Sequence, residues 1–138
     1  MAELLNLDPE RFRECFNRRA FSVGHSLAEG DLFALPTLAT LAARLPARQV
    51  EYNAGDVPVN LDPARTPQNG LGPAETVRRI EECNSWMVLK NVESVPEYAS
   101  LLDTCLAEIA RHSEALTPGM HMAEAFVFVS SPGSVTPF

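Results

Sequence analysis

Three histidines, His25, His112 and His121, are the only imidazoles in the 138-residue chain, and they are scattered along it. His121 and Glu124 stand in an H-x-x-E spacing, which on a helix would bring both side chains to one face. The surrounding residues alternate as a strand does, and side chains three apart on a strand point to opposite faces, so the pair is not expected to share a metal. His112 falls in the last turn of a predicted helix, where the helix dipole favours an imidazolium, a sufficient structural role. His25 follows Gly24 in a short extended segment and reads as a packed or surface residue. Cys15, Cys83 and Cys105 are odd in number, show no C-x-x-C spacing, and read as free, mostly buried thiols of a reducing compartment. No G-x-S-x-G elbow and no phosphate-binding glycine loop occurs; Gly70, Gly72, Gly119 and Gly133 each neighbour a helix start, a helix end or a turn. The residues therefore nominate no catalytic group and no metal ligand.

The elements that would position such groups follow from periodicity. Asp8-Pro9-Glu10 starts a helix with Phe12, Cys15 and Phe16 on one stripe. Phe21–Leu27 reads as a short extended segment. Pro36 opens a second helix, with Leu38, Leu41, Ala42 and Leu45 inward, and Pro46 closes it. Gln49–Tyr52 is a brief strand. From Asn53 to Gly72 the pattern lapses into a loop with Pro58, Pro63 and Pro67, long enough to be either a functional lid or a connector. Gly72-Pro73 starts a third helix that Asn84-Ser85 closes, and Trp86–Leu89 is a buried strand. From Ser94 onward, Tyr98, Leu101, Leu102, Cys105, Leu106, Ile109 and Ala110 match the spacing of an amphipathic helix. The last stretch, Ala123–Phe138, reads as a strand with both faces largely apolar, then a type II turn at Ser131-Pro132-Gly133-Ser134, then a new extended segment.

Composition places the chain among ordinary globular domains, at 46% hydrophobic and 21% charged residues. A net charge of −7 makes nucleic acids and anionic membranes poor partners, and Arg11, Arg13, Arg18 and Arg19 read as a solvated helix face. No apolar stretch reaches membrane-spanning length and the N-terminus has no signal-like apolar core, which predicts a cytoplasmic protein. The fold class expected is α+β: a helix-rich region over residues 1–122, with the loop at 53–72, leading into strands at 123–138.

The run WMVLKNVES (Trp86–Ser94), a proline-initiated amphipathic helix, and then FVFVSSPGSVTPF (Phe126–Phe138) resemble the N-terminal half of the cupin-like, JmjC-type Fe(II)/2-oxoglutarate-dependent oxygenases. Related branches are the bacterial cupin-like domain proteins and, more distantly, the asparaginyl hydroxylase of hypoxia-inducible factor. The similarity spans roughly residues 75–138 and extends only loosely to the first seventy. It implies that residues 123–138 are the first strands of a double-stranded β-helix (jelly roll), incomplete in this chain. In that family the S-P-G-x-x-T-P-x segment is followed at once by His-x-Asp, the first two iron ligands, and later by a second His. The resemblance thus implies Fe(II) and 2-oxoglutarate as cofactors of a longer parent, with none of the ligands among residues 1–138. It also implies a role for Thr136, whose counterpart donates its hydroxyl to the distal carboxylate of 2-oxoglutarate; Thr136 reads equally well as a β-branched strand residue. The substrate, protein or small molecule, is not specified. A metal-free cupin-fold scaffold and a self-contained α+β interaction domain are the alternatives. An open sheet edge would allow homodimerisation.

Overall fold

A computed structural model describes residues 3–55 and 68–135. In chain order the elements are β1 (Leu5–Asn6), α1 (Pro9–Cys15), β2 (Gly24–His25), α2 (Leu35–Arg44), β3 (Val50–Ala54), α3 (Pro73–Arg78), β4 (Ser85–Leu89), α4 (Pro96–Ser113) and β5 (Val127–Ser130). Helices and small antiparallel sheets make this an α+β chain. No helix among the described residues is long and apolar enough to cross a membrane. Contacts divide the chain into two compact units, one of Met1–Leu32 with Glu93–Glu124 and one of Phe33–Val92 with Ala125–Phe138.

In the first unit, α1 begins where the Asp8 carboxylate accepts the Glu10 and Arg11 amides at 2.9 and 3.3 Å. Those amides have no partner inside the helix, so the cap supplies what the first turn lacks. Phe12 then stacks on Phe16 at 4.6 Å and meets Phe21 edge-on at 5.8 Å, forming an aromatic cluster against α4, whose His112 ring lies 5.5 Å from Phe12. The extended segment expected at 21–27 is reduced to the two residues of β2, which pair antiparallel with β1. The apolar stripe of α4 is only half-buried; its buried residues are Tyr98, Glu108 and Ser113.

The second unit carries the main sheet, in the order β3-β4-β5 and antiparallel throughout. All five residues of β4 are buried, as a central strand covered on both faces requires. Helix α2 packs on α3, burying Leu38, Leu41 and Val77. Helix α3 stops at Arg78, short of the expected Asn84-Ser85. The Ile80 carbonyl, which a continuing helix would offer to the Asn84 amide, instead accepts the Ser131 hydroxyl. The terminal strand also begins later than expected, at Val127 rather than Ala123. Strand β4 ends at Leu89, opposite Val127, and the chain turns off at Asn91 with φ 52°, so little of β4 remains to pair with residues 123–126. What remains is one bond, from the Val92 amide to the Ala125 carbonyl. The expectation of a strand covered on both faces holds for one face only: Val129 is buried, whereas Phe126 and Phe128 are 48% and 62% exposed. Among the described residues, β5 is an edge strand.

Candidate functional site

The histidines do not converge. His25 accepts the Leu27 amide on Nδ1, His112 belongs to the aromatic cluster, and His121 is exposed with Nδ1 3.0 Å from the Gly119 carbonyl. Glu124 is exposed on the irregular segment that precedes β5. Among the described residues, no group of three or more His, Cys, Asp or Glu side chains is arranged to hold a metal. The three cysteines are free thiols, but only Cys15 is buried; Cys83 and Cys105 are half-buried, against the expectation that most would be buried. Burial, reinforced by the Glu108 carboxylate, pushes the Cys105 thiol up, which disfavours the nucleophilic thiolate. Thr136 lies outside the described residues, as do residues 56–67 of the long loop.

What the structure does bring together is a polar junction at the start of β4. Ser85, fully buried, exchanges two bonds with Ser131: its amide donates to Ser131 Oγ at 2.9 Å, and its carbonyl accepts the Ser131 amide at 2.8 Å. The Ser85 hydroxyl donates to the Cys83 carbonyl at 3.0 Å and accepts from Asn69 Nδ2 at 2.8 Å. Asn69 Nδ2 also reaches Thr76 Oγ1 at 3.0 Å, and its Oδ1 accepts the Leu71 amide at 2.9 Å. Tyr52 adds a bond from its hydroxyl to the Leu71 carbonyl at 2.9 Å. The far end of the loop is thus pinned to β3, α3 and β4 together.

The near end of the loop is pinned to the same place. The Gly55 amide donates to the Asn84 carbonyl, and the Val135 amide donates to the Gly55 carbonyl, both at 2.7 Å. Between them runs the Ser131–Ser134 turn, closed by the Ser134 amide on the Ser131 carbonyl at 3.1 Å, with Gly133 at φ 72°. Pro132 and Gly133 hold the second and third positions, as type II geometry demands of a residue that must take positive φ. Ser134 packs so closely that a Cβ on Gly55 would stand 2.3 Å from its own Cβ. Its hydroxyl is buried with no hydrogen-bond partner among the described residues.

The bonds of this junction run among hydroxyls, one carboxamide and the backbone. Such a network orients chain segments. Sequence reasoning identified the turn and the loop but missed Gly55, Asn69, Ser85 and Ser131 as partners. The available signal was local: Asn-Ala-Gly and Asn-Gly at the loop ends, and a small polar residue at the first position of a buried strand.

A second feature lies in the first unit. Phe12, Phe16, Phe21 and Ile109, with Leu5 and Leu7, line an apolar cleft of about 340 Å³. Its size suits a small apolar ligand, but the polar groups that usually orient one are missing from its lining. No protein-family model matches this chain, and neither the curated proteins nor the solved structures include a match to it.

Proposed function

We propose that the chain is the N-terminal part of a cupin-like, JmjC-type Fe(II)/2-oxoglutarate-dependent oxygenase. The parent couples oxidative decarboxylation of 2-oxoglutarate to hydroxylation of a protein or small-molecule substrate, in the cytoplasm. The observation that carries the reading is the order W-M-V-L on β4, proline-initiated α4, and F-V-F-V-S-S-P-G-S-V through β5 and its turn, with β4 and β5 adjacent in an antiparallel sheet. Jelly rolls are built from antiparallel strands, and the exposed Phe128 on β5, with the exposed Phe126 just before it, offers a face on which further strands would lie. The described residues do not fit an iron site, so in this reading the metal falls to the His-x-Asp and later His outside them. In this reading Thr136 orients the cosubstrate.

The coding sequence after Phe138 is the first test: His-x-Asp in the next few codons supports the proposal, and any other sequence there overturns it. A chain extended through those ligands is expected to turn over 2-oxoglutarate in an iron-dependent manner, and residues 1–138 alone are not. A metal-free cupin-fold scaffold predicts no turnover in either.

The apolar cleft beside α1 favours a second reading, a self-contained α+β interaction domain. That reading predicts a monodisperse 138-residue protein with a cooperative melt. The oxygenase reading predicts association through the β5 edge. Size-exclusion chromatography with a thermal melt separates the two.

A further inference from the structure

We propose that Asn84 and Ser85 form a coupling joint that makes the two ends of the long loop and the 131–135 turn move as one body. The proposal needs neither iron nor 2-oxoglutarate and stands apart from the oxygenase reading. It rests on which groups share partners. The loop's near end reaches Asn84 through the Gly55 amide, and its far end reaches Ser85 through Asn69 Nδ2. The turn reaches Ser85 twice through Ser131, and it reaches the loop directly through the Val135 amide on the Gly55 carbonyl. The Asn69 and Ser131 bonds share fully buried Ser85 and are lost or kept together, because an unpaired buried polar group in a low-dielectric interior is costly. The Gly55 bond falls on the adjoining, exposed Asn84, whose carbonyl is held by the same peptide link.

Gly55 is the contact that makes the joint tight. The absence of a side chain there lets the turn pass directly over the loop's near end, since an added Cβ meets Ser134 Cβ at 2.3 Å and Ser134 Cα at 3.1 Å. To bring the shorter contact out to the 3.4 Å at which ordinary packing begins, Ser134 must shift by about 1 Å. A shift of that size along the 2.7 Å bond from Val135 to Gly55 takes it beyond hydrogen-bonding range. Among the described residues the Ser134 hydroxyl has no hydrogen-bond partner, and the bonds that hold the turn there are those to Ser85 and Gly55. Movement at either loop end is therefore transmitted to Val135, and the reverse transmission is equal in free energy.

Amide hydrogen exchange on the intact chain tests the joint in both directions. Asn69→Ala, at the loop's far end, is expected to speed exchange at Val135 about threefold to tenfold, and Ser131→Ala to speed it comparably at Leu71. Gly55→Ala is expected to abolish protection at Val135, and Gly55→Ala with Ser134→Gly to restore most of it. The Met87 and Leu89 amides of β4 serve as the control and should stay within about twofold of wild type. If Ser131→Ala does not fold, Asn69→Ala and Gly55→Ala still decide the matter at Val135. Exchange at Val135 unchanged by Asn69→Ala, or additive effects in the Asn69→Ala/Ser131→Ala cycle, would overturn the proposal.

Discussion

Replacing Glu108 by Ala is the sharpest test of how the first unit is held together. Glu108 is 5% exposed on α4, and its two carboxylate oxygens accept the Leu4 and Leu5 amides, each at 2.8 Å. Truncation leaves both amides without an acceptor in a partly buried setting. At about 1–3 kcal/mol for each orphaned group, the expected loss is roughly 2–6 kcal/mol, against a typical domain stability of about 5–15 kcal/mol. The neighbouring Arg111–Glu3 ion pair, at 2.7 Å but exposed, bridges the same two segments. An exposed pair contributes about 0–1 kcal/mol, so Arg111→Ala should be nearly silent. Urea unfolding of both variants gives the two stabilities, and amide exchange at Leu4 and Leu5 localises the loss. A Glu108→Ala loss below about 1 kcal/mol, or a loss equal to that of Arg111→Ala, would refute the assignment of Glu108 as the clamp on β1.

Other outcomes follow from single contacts. Asp8→Ala removes the cap of α1 and is expected to cost about 1 kcal/mol in a thermal or urea melt, while Asp8→Asn is nearly neutral. Phe128→Lys places a charge on β5, an edge strand among the described residues, and it is expected to abolish the association that the oxygenase reading predicts, as read by sedimentation, leaving the melting temperature little changed. The Cys105 thiol is held above its ordinary value of 9.0 by burial and then by Glu108, so its alkylation should reach half-maximal rate above that pH. Because the folded value is the higher one, the stability this thiol contributes is present below 9.0 and lost as pH rises through the folded value, which Cys105→Ala should remove from an alkaline stability profile.

The sequence by itself determined the elements whose signals are local. Pro9, Pro73 and Pro96 open helices where expected and Pro36 sits second in α2, because a missing amide in the first helical turn costs nothing. Trp86–Leu89 and the Ser131–Ser134 turn were equally legible, from an unbroken apolar run and from Pro-Gly chemistry. Only the tertiary structure decided where α3 and β5 stop and start. Those limits depend on the Ser131 hydroxyl claiming the Ile80 carbonyl across a separation of 51 residues, and on β4 running out of partners at Leu89. Glu108 was illegible for the same reason: a glutamate beside an apolar stripe looks solvated until a distant pair of amides at Leu4 and Leu5 arrives to bind it. The junction at Ser85 likewise joins Gly55, Asn69 and Ser131, residues whose types say only loop or turn. Their significance lies in sharing partners, and shared partners arise only when remote segments pack and their buried polar groups must be satisfied by one another.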